Sequence, residues 1–429
     1  MRVGGPAMRL KLKHWSRPRA TSSCNLALDV TRVETAMAAA PLPILSPGRT
    51  LLFAAACGAA AANMYYAQPL IGLIAPSVGL PAELGSLIVT LSQIGYAIGL
   101  VLLVPLGDLV ENRRLAVVTL VATSVAVFAL SRAGSPAEVL TAAAAVGLTA
   151  VVVQMLVPFA AHLAPEASRG AAVGNVTSGL VLGILLARPV ASLGADLFGW
   201  RTVFVGSALL TLALAVILAL ALPYRRPEPT HSYVELLRSM GPLLRRERVL
   251  QRRIVIQCAL FANFSLFWTA VPLELAGPPY ELSQRGIALF GLAGAMGVLI
   301  TPLAGRLADR GHGPVATRVA LALAVGAFAL AWAGPQSVIL LAITAITLDA
   351  GVQLGLVTGQ REIYALQPQA RSRLNGIFIA SFFAAGAVGS ALASPVYEAW
   401  DWPGIAAAGL AIALAGLVFV LLTGRRAAP

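Results

Sequence analysis

Residues 51–81 read LLFAAACGAAAANMYYAQPLIGLIAPSVGLP and contain no charged side chain. An α-helix rises about 1.5 Å per residue, so about 20 apolar residues cross the hydrocarbon core of a bilayer. The stretch is therefore long enough to span a membrane. Its middle, Asn63–Leu70, nevertheless carries two amides, two phenols and a proline. Because unpaired polar groups in hydrocarbon are costly, we expect these side chains to face protein or water.

The composition of the whole chain indicates that its solvent is lipid. Of its 429 residues, 58% are hydrophobic and 11% are charged, whereas soluble domains average about 45–50% and about 25%. The predicted fold is an all-α integral membrane protein with twelve transmembrane helices in two sets of six. The predicted spans lie near 51–74, 86–106, 115–131, 137–161, 171–193, 202–222, 254–275, 284–304, 315–333, 337–360, 374–395 and 403–423.

The basic residues predict the orientation. Cytoplasmic connections retain positive charge, and 27 of the 31 Lys and Arg residues lie in the two tails and the alternate loops between them. We therefore expect a multi-pass protein of the bacterial inner membrane with both termini in the cytoplasm. The predicted parts are a disordered basic tail at 1–49, an N-terminal bundle at 50–222, a cytoplasmic linker at 223–253 and a C-terminal bundle at 254–429. The linker segment YVELLRSMGPLLRRERVL fits either a helix on the membrane surface or a plain tether.

Several classes of function are excluded or have no sequence support. Both lysines, Lys11 and Lys13, lie in the tail, so the chain has no GxxxxGK[ST] phosphate-binding loop and no direct ATP drive. We expect no metal site, no cofactor and no enzymatic activity. The net charge of +13 lies between apolar segments, where it sets topology, so we expect no nucleic-acid partner. The expected partners are a small-molecule substrate, protons and membrane lipid, and the chain is expected to be a monomer.

An internal repeat is visible in the loops. The repeated residues, at offsets of 201–203, are Asp108 with Asp309, Pro165 with Pro368, and Trp200 with Trp402. Such repeats are common in membrane transporters. Glycines recur on matching spans and include the pairs Gly95/Gly99 and Gly179/Gly183, which permit close helix approach. We expect them to serve two halves that move against one another.

The loop after the second span of each half carries a family resemblance. The second half reads GRLADRGHG at Gly305–Gly313, and the first reads LVPLGDLVENRR at 103–114, with Val104 and Glu111 in place of glycines. Over roughly residues 50–425 the chain resembles the major facilitator superfamily, whose signature there is GxLaDRxGRR. The resemblance implies two pseudo-symmetric six-helix bundles around a central cavity. It also implies interhelical charge pairs that hold one conformation closed, the alternative being a loop that only sets topology. The motif residues are Asp108, Arg113, Arg114, Gly305, Asp309 and Arg310.

The first span resembles a narrower group. Its Asn-x-Tyr-Tyr-x-Gln-Pro sequence is similar to that of bacterial proton-antiport exporters related to drug and sugar efflux permeases. Their fifth span usually carries GxxxGPxxGG. This chain keeps Gly179 and Gly183 but lacks the Gly-Pro junction and has Arg188-Pro189 instead.

Two ionisable residues lie more than about a turn inside any predicted span, Arg188 and Asp349. Such residues mark functional sites by default. Burial disfavours the charged form of a carboxyl group and a nearby arginine favours it, so a group held between these effects can bind and release a proton. We therefore predict that Asp349, with Arg188, couples transport to protons. Arg188 lies only about five residues from the end of its span, so it can alternatively extend towards the interface.

The other polar residues inside the spans are candidates for a substrate cavity. In the first span, the alternatives are a substrate-contacting wall with a hinge at Pro69, or interhelical contacts. The candidate cavity residues are Asn63, Tyr65, Tyr66, Gln68, Gln154, Gln257, Asn263, Trp268 and Gln353.

The sequence thus predicts a secondary active transporter working by alternating access. It is expected to export a small amphiphilic or sugar-like compound in exchange for protons. One alternative is metabolite uptake by proton symport or facilitated diffusion. Another is a non-transporting membrane receptor or scaffold, which would not need a mid-membrane carboxylate.

Overall fold

The structure of the chain is a computed structural model. It describes residues 45–227, 232–298, 313–334, 337–367 and 370–424, apart from the side chains of 167, 295–298 and 424. The predicted tail up to residue 44 and three motif residues, Gly305, Asp309 and Arg310, lie outside the described residues.

The described part of the chain is built from α-helices with short 3₁₀ turns between them. In chain order the helices are α1 Pro47–Ala62, α2 Ile71–Ser77, α3 Leu87–Leu102, α4 Asn112–Arg132, α5 Pro136–Thr149, α6 Val153–Leu163, α7 Arg169–Phe198, α8 Trp200–Ala221, α9 Tyr233–Arg246, α10 Arg248–Ala276, α11 Gln284–Val298, α12 Gly313–Ala333, α13 Val338–Leu366 and α14 Arg371–Gly424.

Nine helical stretches among the described residues are long and apolar enough to cross a membrane. The first predicted span is not among them because it divides into α1 and α2. The eighth predicted span extends past residue 298, beyond the described part. The stretch Arg371–Thr423 covers the last two predicted spans, and its backbone leaves the helical conformation at Asp401, where φ is 49° and ψ is −156°. The count of twelve in two bundles therefore stays a prediction.

Glycines set the closest helix contacts within the first half of the chain. A Cβ atom built on Gly183 would lie 2.2 Å from the backbone oxygen of Gly58, and one on Gly179 would lie 2.4 Å from that of Ala54. Helices α1 and α7 therefore touch through their backbones, as small residues allow. On α3, a Cβ on Gly95 would lie 2.2 Å from the oxygen of Ala144 on α5. These two pairs join helices of the same half, so the expectation of a moving contact between the halves fails for them, whereas Gly291 of α11 does lie against α7 of the other half.

The ends of the helices differ in charge. We call the end with the connections 103–114, 163–169, 222–227, 232–253, 361–367 and 370–373 the arginine-rich end. We call the end with the connections 78–86, 133–136, 196–201, 277–285 and 396–402 the opposite end. The linker helix α9 lies at the arginine-rich end, where Leu236 and Met240 are buried. The Tyr233 hydroxyl donates to the oxygen of Leu102 at 2.8 Å, and Arg373 donates to Ser239 at 2.8 Å. The linker therefore contains a helix that is packed against both halves.

The two halves are joined at the opposite end by buried polar contacts between α3 and α14. The hydroxyls of Thr90 and Ser390 are hydrogen-bonded at 2.9 Å, and the backbone N–H of Ser86 donates to the hydroxyl of Ser394 at 3.0 Å. Towards the arginine-rich end, the described neighbours of α7 become fewer. Between residues 169 and 186 of that helix the buried residues are Ala172 and Val176.

Candidate functional site

A cavity of about 280 Å³ lies between the two halves. Helices α1, α3, α6 and α7 line it from the first half, and α10, α11, α13 and α14 line it from the second. Ligand pockets usually measure about 300–1,000 Å³, so the cavity suits a small ligand. Its lining is largely apolar, and the polar members are four glutamines, two tyrosines, one threonine and two charged residues, Arg188 and Asp349.

The polar stretch of the first span, residues 63–70, leaves the regular α-helix, and we call it the unwound segment. Helix α1 ends at Ala62, and the N–H groups of Met64 and Tyr65 bond to oxygens three residues back, at 3.0 and 2.9 Å. Pro69 has no N–H to continue an α-helical ladder, and the chain becomes regular again at Ile71. Because the backbone turns here, neighbouring side chains reach different surroundings.

Asn63 and Tyr66 face α8 and do not line the cavity. The Asn63 amide donates to the hydroxyl of Thr211 at 3.3 Å and accepts from that of Ser207 at 2.6 Å. The ring of Tyr66 meets that of Phe204 edge to face, with centroids 6.5 Å apart. Both residues therefore hold the unwound segment against α8, the arrangement that the interhelical alternative predicts.

Tyr65 and Gln68 face the other way, towards Arg188. The guanidinium carbon of Arg188 lies 4.1 Å from the ring centroid of Trp268 and 5.2 Å from those of Tyr65 and Phe264. The Arg188 Nε donates to Gln68 Oε1 at 3.0 Å, and the residue is 5% exposed. Arginine over aromatic faces is a cation–π arrangement that gains strength away from water. Arg188 therefore lies inside the protein and does not extend to the membrane–water interface.

Asp349 reaches Arg188 through Trp268. The indole Nε1 donates to Asp349 Oδ1 at 2.9 Å, while the ring face of the same indole carries the guanidinium. No nitrogen of Arg188 lies within 4.0 Å of a carboxylate oxygen of Asp349. A Cβ atom on Gly294 would lie 2.4 Å from the Trp268 ring and 2.9 Å from Asp349 Oδ2. The backbone of α11 thus lies directly against both side chains.

The remaining predicted cavity residues divide into two groups. Gln154, Gln257 and Gln353 line the cavity. Asn263 is buried against α14 instead, where its amide nitrogen faces the oxygen of Gly409 at 2.9 Å and its amide oxygen faces the N–H of Ala413 at 3.3 Å.

The sequence reasoning missed an aromatic wall. The rings of Phe261 and Phe264 stack with centroids 5.2 Å apart, and Phe261 lies 4.8 Å from both Phe382 and Phe383. Tyr96 completes the wall from the first half at 4.4 Å from Phe383. All five residues line the cavity. The signals were present as FxxF on one span and FF on another, but aromatic residues are so frequent in apolar spans that these pairs did not stand out.

A second, smaller cavity of about 110 Å³ lies at the arginine-rich end. Asp108 lines it with Arg225 and Arg373, and Gln154 lines both this cavity and the central one. Burial lowers the pKa of Arg225, and the carboxylate of Asp108 opposes that shift. The Asp108 loop motif therefore lies where the first half, the linker and the second half meet.

The other motif residues of the first half support the start of α4. Glu111, which replaces a motif glycine, accepts from the backbone N–H groups of Arg113 and Arg114 at 3.0 and 2.7 Å. A carboxylate in this position caps the helix and interacts favourably with its dipole. The Arg113 side chain donates to the oxygen of Leu222 at 3.3 Å.

Comparison with known proteins identifies the family. The model of the Major Facilitator Superfamily matches residues 51–364. The chain belongs to the Major Facilitator Superfamily. An Escherichia coli O157:H7 protein named Uncharacterized transporter YgaY is 41% identical over 374 residues, 87% of this chain and 95% of that protein. A Streptomyces coelicolor protein named Probable transporter SCO4007 is 35% identical over 358 residues, 83% of each chain.

Solved structures of other transporters share the fold. Nucleoside transporter NupG superposes with a TM-score of 0.72 at 14% identity, over 87% of this chain and 99% of that one. A peptide transporter POT in complex with alafosfalin superposes with a TM-score of 0.70 at 15% identity, over 89% and 96%. The family match and the named relatives show that the chain is a multi-pass membrane transporter, which confirms the expected superfamily and the expected general function. The narrower efflux subgroup and the roles of individual residues stay predictions.

Proposed function

We propose that this superfamily member is a secondary active transporter that exports a small amphiphilic or sugar-like compound in exchange for protons. The observation that carries the proposal is the placement of Arg188 and Asp349 in the lining of one cavity between the halves. A buried carboxyl group next to a buried cation can gain and lose a proton, as coupling requires. The aromatic wall supports an amphiphilic substrate over a purely polar sugar.

Alternating access is the proposed working cycle. The halves, 50–222 and 254–429, rock against each other about the cavity and remain tethered by 223–253. The contacts between α3 and α14 at the opposite end support a state that is closed on that side. We propose that the arginine-rich end faces the cytoplasm of a bacterial inner membrane, with both termini on that side, because it carries most of the arginines.

In the proposed cycle, substrate and proton alternate at Asp349. A proton that enters from outside neutralises the carboxylate and favours substrate release outward. Loss of that proton to the cytoplasm restores the charged carboxylate and the substrate-binding state. The Asp108 loop, at the junction of halves and linker, is proposed to act on the conformational equilibrium and not on substrate affinity.

The direction of coupling has a direct test. Candidate compounds come from a growth screen of a library with and without expression of the transporter. The purified protein is then placed in liposomes that enclose a pH-sensitive dye, without any pH gradient, and a candidate compound is added outside. Proton antiport makes the lumen alkaline whichever way the protein is inserted, and Asp349→Asn abolishes that response.

The same assay tests the alternative mechanism. Acidification of the lumen would show proton symport and overturn the proposed exchange. Entry of radiolabelled compound without a pH change would show facilitated diffusion. Both results would leave the superfamily assignment intact.

A further inference from the structure

The geometry points to Trp268 as the positioning residue that transmits the charge state of Asp349 to the contact between the two halves. This inference rests on the proposed proton coupling and assigns it a physical path. It concerns a residue that sequence reasoning took for part of the substrate cavity, whereas the cavity lining does not include it.

Trp268 uses its two chemically different surfaces at once. Its N–H donates to Asp349 at 2.9 Å, and its ring face lies 4.1 Å from the guanidinium carbon of Arg188. Trp268 and Asp349 belong to α10 and α13 of the second half, whereas Arg188 belongs to α7 of the first. One side chain therefore contacts both members of a buried charge pair across the interface between the halves. The residue is 1% exposed, so it has little freedom to move without changing these contacts.

The surroundings tie the indole to helix packing between the halves. A Cβ atom on Gly294 of α11 would lie 2.4 Å from the Trp268 ring. One turn earlier on α11, a Cβ atom on Gly291 would lie 3.3 Å from Pro189 Cδ and 3.4 Å from Arg188 Cβ. Helix α11 thus packs against the indole on one turn and against α7 on the adjacent turn. A small rotation of the indole would have to be accommodated at the α7–α11 contact.

The charge of Asp349 controls the indole in a simple way. A carboxylate accepts the indole N–H in a charge-assisted bond, which is shorter and stronger than a neutral one. Protonation weakens that bond and also removes the countercharge of Arg188. Protonation of Asp349 therefore weakens the hold on the indole N–H and frees the guanidinium of Arg188 to leave the ring face. The charged groups that act on Asp349 are few: Arg188 from α7 faces it, as does the titratable Tyr65 from the unwound segment.

A pair of matched variants tests this role. Trp268→Phe keeps a ring for Arg188 but removes the donor to Asp349. Trp402→Phe is the control, since Trp402 is also 1% exposed and its N–H also donates, at 3.1 Å, but to the backbone oxygen of Ala331. The readout is the pH dependence of transport in the dye-filled liposomes. Removing a donor from a carboxylate favours its protonated form, so the profile of Trp268→Phe is expected to move to higher pH by about one unit.

The control variant should keep the profile of the unmodified protein. An unchanged profile in Trp268→Phe, or an equal shift in Trp402→Phe, would overturn the inference. If the unmodified protein transports its compound without moving protons, the proposed coupling fails instead, so the two failures are distinguishable.

A measurement on the unmodified protein covers the case in which Trp268→Phe does not fold. The indole emission of the protein sums over six tryptophans, and the contribution of Trp268 is expected to change with pH in the range where transport changes. The same change should be absent in Asp349→Asn and present in Trp402→Phe. Emission that is constant across that range would contradict the assignment of Trp268.

Discussion

Asp349→Asn is the substitution that separates the charge of this side chain from its shape. Asparagine is nearly isosteric, and its amide oxygen still accepts the N–H of Trp268. The variant loses the negative charge that faces Arg188 and the site that we propose for the proton. We therefore expect a loss of coupling together with a measurable loss of stability.

The size of both effects can be bounded. Every nitrogen of the Arg188 guanidinium lies more than 4.0 Å from the carboxylate oxygens of Asp349. At an effective dielectric constant of about 20, the attraction between the two charges is therefore at most about 4 kcal/mol. Removing one partner of a buried charge pair typically costs about 3–5 kcal/mol. We expect Asp349→Asn to lower the free energy of unfolding by about 2–4 kcal/mol. A gradient of one pH unit supplies about 1.4 kcal/mol per proton, or about tenfold accumulation, which the variant should lose entirely.

A double-mutant cycle with Arg188→Gln measures the stability effect. The free energy of unfolding is obtained by titrating the purified protein in mixed micelles with sodium dodecyl sulfate. Because the double variant buries no unpaired charge, it should recover most of the stability lost in Asp349→Asn. Coupling should be absent in both variants, while substrate binding to Asp349→Asn should survive and lose its pH dependence.

Two results would refute this reasoning. Additive losses in the double variant would show that the two charges do not interact across Trp268. Uphill, gradient-driven transport by Asp349→Asn at the normal rate and with unchanged pH dependence would remove the carboxylate from the coupling mechanism.

Three further substitutions test other parts of the structure. Gly183→Leu should lower the free energy of unfolding by about 1–3 kcal/mol or more, because a Cβ atom at this position would lie 2.2 Å from a backbone oxygen of α1. Gly174→Leu on the same helix has open space around it and should leave the free energy of unfolding unchanged in the same micelle titration. Asn63→Ala should lower the free energy of unfolding by about 1–3 kcal/mol, because two hydroxyl groups on α8 lose their amide partner. A change in substrate selection with unchanged stability would show instead that this residue contacts the substrate. Thr90→Val removes the hydrogen bond to Ser390 that joins the halves at the opposite end, so the population open at that end should rise about fivefold. The rate of thiol labelling of cysteines placed at that end measures this population, and an unchanged rate would contradict the role of this contact.

Much of this protein was accessible from the sequence. Apolar length and the spacing of arginines predicted a multi-pass membrane protein, and the loop motifs and the repeat predicted its superfamily. Asp349 and Arg188 were found because a charge inside a span is rare enough to be recognised one residue at a time. These features depend on local composition along the chain, which the lipid environment restricts strongly.

Only the tertiary structure decided which side chains share a surface. Asn63 and Tyr66, both predicted to line the cavity, lie together against α8 and outside it. The sequence could not place Tyr65 opposite Arg188, because the helix unwinds between α1 and α2 and its regular periodicity no longer applies there.

The position of Trp268 on α10 between Arg188 and Asp349 depends on the packing of four helices, of which α7 and α13 lie far from α10 in the sequence. Lipid requires each span to be apolar and each polar group to find a partner, and these requirements can be read along the chain. They do not specify which partner is found, since many arrangements of apolar helices bury similar area. That choice is made by close contacts such as those of Gly291 and Gly294, which exist only once the helices are packed together.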